Sequence, residues 1–429
     1  MTHQHWPMKS IGDLFMIGAG KTMSAKAREG LHRRPFLRTS NVLWDEIDLS
    51  VVDEMAITDE ELRDKSLAPG DLLVCEGGDI GRAAVWTGQR EVMSFQNHLH
   101  RLRPKTNLTC SRFYVYFLQC GFTQLGIFDG AGNKTTIPNL SKNRLAGLDV
   151  LLPPIWEQQA ITALLSKVRD GIGMHAEAQR LATELKTASM NRLFTGGLRG
   201  EAQKETEMGC LPENWNIEPL GAHYNVSSGG TPSRGNPAYW FGGEIPWVKT
   251  TEVNYCTIGQ TEERITQRGL EESAAKLLPE GTLLMAMYGQ GVTRGRVAIL
   301  GIEAACNQAC AAITAKDDAI IGKYLYHFLC WRYEAIRQLA HGGQQQNRNL
   351  DIVRALPVAA PTELSEQQDV VSILDAIDHK IALHQQKRAV LEELFKALLH
   401  KLMTGEIDVN DLDLQALSAH EPAIEGSPA

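Results

Sequence analysis

The longest regular pattern of apolar and polar positions runs through residues 366–405. Leu374, Ile377, Ile381, His384, Arg388, Leu391, Phe395, Leu398 and Leu402 follow one another there at alternating steps of three and four. Such spacing puts them on one face of a helix at period 3.5, an a/d seam. The positions 209 residues earlier carry Leu165, Val168, Ile172, His175, Gln179, Ala182, Lys186, Ser189 and Leu193, a weaker seam of the same register. No proline interrupts either stretch. Pro153-Pro154 and Pro361 precede them, and Thr195-Gly196 and Thr404-Gly405 close them, as helix start and stop signals should. Each helix of about 37 residues would span roughly 55 Å. Neither seam is apolar enough to stand alone, so the two helices are expected to pack on each other as an antiparallel pair. His175 and His384 hold equivalent seam positions, where they either pin register or are solvated edge residues. No further ligand at helical spacing supports a metal role.

The repeat reaches beyond the helices. Trp6 matches Trp215 at the same offset, Ile11-Gly12 matches Leu220-Gly221, and Thr22 matches Thr231. Asp71-Leu72-Leu73-Val74 resembles Thr282-Leu283-Leu284-Met285, and Gly81-Arg82-Ala83-Ala84-Val85 resembles Gly295-Arg296-Val297-Ala298-Ile299. These short apolar runs between turn glycines read as strands of a mixed, twisted sheet. The expected fold is therefore α+β: two tandem α/β domains joined by two long antiparallel coiled-coil helices, an internal pseudo-two-fold repeat. The expected boundaries are a first domain at 1–153, a helix at 154–198, a linker at 199–211, a second domain at 212–360, a helix at 361–405, and an acidic, disordered tail at 406–429. The globular copies diverge far more than the helices, which is the pattern of one scaffold carrying two different readers.

A chain of 429 residues exceeds what one core normally serves. The apolar runs are too short for a membrane span and the first residues lack a secretory signal. Eight cysteines are scattered without a Cys-x-x-Cys pair; Cys306 and Cys310 read as buried thiols. A reducing cytoplasm fits best. The net charge of −8 argues against nucleic acid at first sight, but six of the acidic side chains stand within residues 404–429, which hold no Lys or Arg. Local basic stretches then matter more than the total.

Positive signs of catalysis are missing. Ile17-Gly18-Ala19-Gly20-Lys21-Thr22 looks like the end of a phosphate-binding loop, but Phe15 stands where the first glycine belongs, so a turn is the better reading. Its counterpart, Val226-Ser227-Ser228-Gly229-Gly230-Thr231, has no lysine. Asn236-Pro237-Ala238-Tyr239-Trp240 only faintly resembles an amino-methyltransferase loop. No serine-hydrolase, zinc-protease or paired acidic nuclease motif is present.

Polar-basic loops recur at corresponding points of both copies. The first copy offers Lys21, Lys26, Arg28, His32, Arg33, Arg34 and Arg38, then Asn97, His98, His100, Arg101, Arg103 and Lys105, then Asn133 and Lys134 within Gly130–Thr136. The second offers Thr231, Ser233 and Arg234, then Lys249 and Thr250, then Gln290, Arg294 and Arg296, then Asn307 and Gln308, then Gln345, Asn347 and Arg348. Arg and Lys suit guanine edges and phosphates, and Asn and Gln suit adenine edges. These are the candidate DNA contacts.

Leu211-Pro212-Glu213-Asn214-Trp215, Ser228-Gly229-Gly230-Thr231-Pro232-Ser233-Arg234 and Ile245-Pro246-Trp247-Val248-Lys249-Thr250 resemble the target recognition domains of type I restriction–modification specificity (S) subunits. So do the Glu-Gln-Gln helix openings and Thr-Gly closings. The resemblance covers nearly all of residues 1–405. The first copy departs from it, since Trp6-Pro7 lacks the Pro-x-x-Trp approach and Ala19-Gly20-Lys21-Thr22 replaces Gly-Gly-Thr-Pro. The resemblance implies a non-catalytic subunit that reads a bipartite, asymmetric DNA site, one domain per half-site, with the helices as a ruler between them. It implies two modification (M) subunits that bring S-adenosylmethionine for adenine N6 methylation, and restriction (R) subunits that bring ATP and Mg. Glu157, Gln158, Gln159, Glu366, Gln367 and Gln368 are then candidate docking positions for M. The rival expectations are a self-contained DNA methyltransferase or nuclease, against which the missing motifs count, and a scaffold without DNA readout, against which the divergent heads count.

Overall fold

A computed structural model describes residues 6–126, 139–287, 293–339 and 346–412. The chain divides into two compact units, residues 1–175 with 386–429, and residues 176–385. The two long helices are α2 (Ile155–Gly196, 42 residues) and α4 (Leu364–Thr404, 41 residues). Each unit holds one head, the near part of its own long helix and the far part of the other.

In the first unit, β1 (Met8–Ser10) pairs antiparallel with β9 (Asp149–Leu151) at the base of α2. A four-stranded antiparallel sheet has the order β2 (Phe15–Ala19), β8 (Leu99–Pro104), β5 (Leu72–Cys75), β6 (Ala83–Val85). A smaller sheet has β3 (Arg33–Leu37) between antiparallel β4 (Asp53–Ala56) and parallel β7 (Ser94–Phe95). Between sheet and long helices lies α1 (Ser111–Cys120), whose Phe113, Tyr114, Tyr116 and Phe117 fill the core. Phe15, Leu72, Val74 and Leu102 meet it from the sheet, and Ile161, Leu165, Phe395, Leu399 and Leu402 from the helices.

The second unit repeats this order. Here β10 (Trp215–Pro219) pairs with β18 (Pro357–Pro361). The main sheet runs β11 (Tyr224–Ser228), β17 (Cys310–Ala315), β14 (Leu283–Ala286), β15 (Val297–Leu300), with Thr257–Ile258 added in parallel. The smaller sheet places β12 (Ile245–Val248) between antiparallel β13 (Glu263–Ile265) and parallel β16 (Ala305–Cys306). The aromatic helix is α3 (Gly322–Trp331). The single mixed sheet expected from the strand runs is thus divided in each unit into separate small sheets, and the parallel pair β3–β7 or β12–β16 stands apart from the main ladder.

The predicted seams fall where the periodicity puts them. Every seam position of α2 and α4 is at least half-buried, whereas Met174, Leu181, Leu185, Leu383, Val390 and Leu394, off the seam, are exposed. The helices run antiparallel in each unit. In the first, Gly171 lies against Leu391 and the Arg169 guanidinium sits 5.9 Å over the Phe395 ring. In the second, the Lys186 ammonium contacts Asp378 at 2.6 Å. The stop signal of α4 is Gly405, at φ 77°, but α2 runs through Gly196 and ends on Gly197, at φ 68°. Only a residue without Cβ takes that left-handed turn at little cost.

Three histidines differ sharply in setting. His223 lies 3.0 Å from both Asp317 and Glu218, and the bonded Asp317 carboxylate, then Glu218, raise its pKa. His100 and His327 are buried, and loss of hydration lowers theirs. An NMR titration is expected to find His223 above the ordinary value near 6.5 and the other two below it. Since the folded His223 value lies above the unfolded one, its contribution is complete below the ordinary value and fades as pH rises through the raised one. His223→Phe should flatten stability against pH in that window; an unchanged profile would remove the pair as its cause.

Candidate nucleic-acid interface

The parallel strand pair organises one backbone crossing in each unit. In the first, the segment after β2 crosses the ends of β3 and β7. The Lys21 amide donates to the Phe95 carbonyl at 2.9 Å, the Asn97 amide to the Lys21 carbonyl at 3.0 Å, and the Gln96 amide to the Leu37 carbonyl at 2.9 Å. A Cβ on Gly20 would lie 2.3 Å from the Gln96 carbonyl oxygen. The glycine therefore serves a close backbone crossing, and the Lys21 ammonium is bound to Glu61. Neither feature cradles a phosphate.

Beside this crossing is a cavity of about 550 Å³ that gathers Arg28, Arg33, Arg38 and His98 with Gln96, Asn97, Asp53 and Glu54. Arg33 donates to the carbonyls of Arg28 and Glu54, both at 2.7 Å, and Arg38 binds Asp53 at 2.7 Å. Arg28 and His98 are exposed. Lys26 is exposed nearby on the same short helix, Ala25–Glu29. Arg34 faces Asp59 at 3.4 Å.

Two expected contacts have other work. Arg101 donates to the carbonyls of Asp64 at 2.7 Å and Ser66 at 2.8 Å, and Arg103 grips the buried Asp71 carboxylate with two bonds of 2.7 Å. Both stand on β8, and these bonds brace the head.

The second unit builds the same crossing. The Gly230 amide donates to the Cys306 carbonyl at 2.9 Å and the Asn307 amide to the Val248 carbonyl at 3.0 Å. Lys249, Asn307 and Gln308 thereby occupy the places of Arg38, Gln96 and Asn97. The Thr231 hydroxyl donates to the Gln308 amide oxygen, and the Thr250 hydroxyl to that of Asn307 at 3.0 Å. The Arg234 guanidinium stacks 3.9 Å over Trp240 and 4.9 Å over Trp247 and contacts Glu263 at 2.5 Å. Lys249 contacts Glu262 at 2.5 Å and Glu263 at 3.7 Å; its bonded carboxylates raise its pKa. Ser233 is exposed, and its carbonyl accepts from the Trp240 indole at 3.1 Å. Arg296 binds Asn254 at 2.8 Å, and Arg294 lines a small apolar cavity with Met285, Met287 and Ile336; these two lie outside the crossing. Asn133, Lys134, Gln290 and Gln345 fall outside the described residues, as do the side chains of Asn347 and Arg348.

Sequence reasoning passed over Gln96 and the Trp240–Trp247 platform. The usable signal for Gln96 was its place directly after a buried strand, matching Asn307 after Ala305–Cys306.

The Glu-Gln-Gln triplets correct an expectation. The Glu157 carboxylate accepts the Trp6 indole N–H at 3.0 Å, and Glu366 accepts that of Trp215 at 3.0 Å. The Gln158 amide bonds the Cys110 N–H and the Leu108 and Pro153 carbonyls; Gln367 bonds the Ile321 N–H and the Ala319 and Pro361 carbonyls. Gln158 and Gln367 are fully buried. These four residues fasten each head to its own helix; Glu157, Gln158 and Gln367 are buried and Glu366 is half-buried. Gln159 and Gln368 are exposed.

Among the described residues, one group of metal-ligating types stands close together. Donor atoms of His327, Asp375 and Asp378 lie within 4.8 Å of one another. Lys323 binds Asp375 at 2.5 Å and Lys186 binds Asp378 at 2.6 Å, so both carboxylates already have cationic partners. No described helix is long and apolar enough to cross a membrane.

Two stretches, residues 3–182 and 212–393, each match the model of the type I restriction modification DNA specificity domain. The chain belongs to this family. Over 415 residues it is 22% identical to a putative type I restriction enzyme MjaX specificity subunit of Methanocaldococcus jannaschii, covering 95% of this chain and 94% of that one. The MjaVIII specificity subunit of the same organism is 23% identical over 425 residues, 96% of this chain and 95% of the other. The fold is similar to that of the type I system S subunit from M. genitalium, with a TM-score of 0.61 at 14% identity over 94% of this chain and 97% of that one. A second chain, solved in work on complex assembly and conformational transition of the type I R-M system, gives a TM-score of 0.57 at 16% identity, covering 94% and 98%. The two matched specificity domains each contain one strand crossing and its polar side chains.

Proposed function

We propose that this chain is the DNA specificity subunit of a type I restriction–modification complex and reads a bipartite, asymmetric site, one half with each head. The observation that carries the reading is the repetition of one crossing, lined by amides and cations, in two heads that each match a DNA specificity domain. The crossing surfaces differ in side chains while two of their backbone bonds recur, as two readers of different sequences require. The lengths of α2 and α4 set the gap between half-sites, as spacing elements do in other bipartite readers. Adenine N6 methylation falls to two M subunits holding S-adenosylmethionine, which flip the base, and cleavage to R subunits using ATP and Mg. Gln159 and Gln368 are the most exposed positions of the triplets and are the candidates for docking M. The site of action is the cytoplasm, with the cell's DNA.

The test exchanges residues 1–153 for the first head of another specificity subunit, co-expresses the chimera with M subunits and maps N6-methyladenine across the genome. One half of the methylated sequence should change completely and the other should persist. A change in both halves, or in neither, would sink the modular reading.

A further inference from the structure

Resting on that reading, we propose that Arg28 and the neighbouring amides of Gln96 and Asn97 are the base-reading side chains of the first half-site, with Arg33 and Arg38 as braces. Three cations line the 550 Å³ cavity, and they are not equivalent. Arg33 is held by two backbone carbonyls and Arg38 by Asp53. Arg33 so engaged presents little of its donor fork to a ligand, while Arg38 is tied through Nη1 to an acid of the cavity wall. Arg28 is exposed on a short helix at the rim, and its side chain bonds no other described residue. The same holds for the carboxamides of Gln96 and Asn97, whose backbones are fixed by the strand crossing while their side chains face the cavity.

Pairing inside the cavity leaves the choice to donor and acceptor pattern. Asp53 is bound by Arg38 and Glu54 lies 3.9 Å from Arg33, so the two carboxylates offset two of the three guanidinium charges. A base edge presents amino donors as well as acceptors, which suits a wall that offers both. An arginine with a free fork suits the O6 and N7 acceptors of guanine, and a free carboxamide suits N6 and N7 of adenine. The second head shows what a pinned amide pair looks like at the same place. There Thr250 holds the Asn307 oxygen and Thr231 holds the Gln308 oxygen. Position in the fold is therefore shared, and what distinguishes the first head is that its amides and one arginine are unengaged.

The test uses the full chain in complex with its M subunits. Arg28→Ala and Asn97→Ala are compared with the parent by competition binding on duplexes that differ at single positions of the mapped site, over a range of salt. Each variant should lose roughly 5- to 100-fold of its discrimination at one or two positions of the half-site assigned by head exchange to residues 1–153, and none in the other half. Thermal melting should be unchanged, because neither side chain bonds the fold; Asn97→Ser is the second variant if Asn97→Ala melts early. An equal fall in affinity for every sequence with a shallower salt dependence would overturn the proposal and assign phosphate contact instead. Unchanged discrimination would also overturn it. If head exchange fails to move specificity, the proposed function itself fails; if exchange succeeds and these variants read normally, only the assignment of readers does.

Discussion

Replacing Asp45 with alanine is expected to cost the first unit about 3–5 kcal/mol, the range for removing one partner of a buried ion pair. The carboxylate is nearly inaccessible, with its side chain 2% exposed. Arg112 binds it through two nitrogens at 2.8 and 2.9 Å, and the Tyr116 hydroxyl donates to it at 2.6 Å. Arg169 of α2 lies 3.9 Å away. Arg112 and Tyr116 stand on α1, and Tyr116 also meets Ser166 on α2 at 3.1 Å. One carboxylate thus joins a head loop, the aromatic helix and the spacer helix, and its loss removes the acid that two guanidinium groups share. Asp45 also sits at φ 57°, where alanine is strained by roughly 1–2 kcal/mol and asparagine is tolerated. Asp45→Asn keeps the shape and the backbone preference while removing the charge, and is expected to cost about half as much. Urea unfolding followed at the tryptophans separates the two. A loss below about 1 kcal/mol for Asp45→Ala would mean that the joint is held by the aromatic packing alone.

The same joint in the second unit shows what was legible in the sequence and what was not. Lys323 and His327 of α3 stand where Arg112 and Tyr116 stand on α1, and they grip Asp375, which α4 itself supplies. The helices and their seam are readable because period 3.5 is a property of spacing alone, and the offset of 209 carries it from Leu374 back to Leu165. The acid of each joint is not readable, because it comes once from a loop and once from a helix, and only folding brings it to the same place. The candidate site divides in the same way. Clustering of Arg28, Arg33 and Arg38 marks a basic segment, but that Arg33 is spent on two carbonyls while Arg28 is free depends on a strand pairing with residues more than twenty positions away. Arg101 and Arg103 look like cations available to a ligand for the same reason. Their acceptors, on the chain between Asp64 and Asp71, are invisible to local pattern.

Gln367→Ala is the second large effect expected, again about 3–5 kcal/mol. Polar triplets at a helix start ordinarily read as surface, yet this amide is fully buried and closes three backbone bonds: to the Ile321 N–H at 2.9 Å, the Ala319 carbonyl at 2.8 Å and the Pro361 carbonyl at 2.9 Å. Each buried backbone group left without a partner costs about 1–3 kcal/mol, well above the net gain of an ordinary hydrogen bond. The neighbouring Gln368 supplies the control, since it is exposed on the same turn. Gln368→Ala should lie within about 0.5 kcal/mol of the parent. Gln158 and Gln159 repeat the contrast in the first unit, so four single variants measured by urea unfolding give two large losses and two near zero. The consequence for function follows from where the three bonds lie. Ala319 and Ile321 lead into α3, and Pro361 ends β18 just ahead of α4, so the amide locks the orientation of the head on its helix. A head loosened there should still carry its reading side chains but place them less well, so N6-methyladenine mapping of the Gln367→Ala complex should show weaker methylation at the unchanged sequence. A shift to a new sequence would show instead that the amide acts in readout.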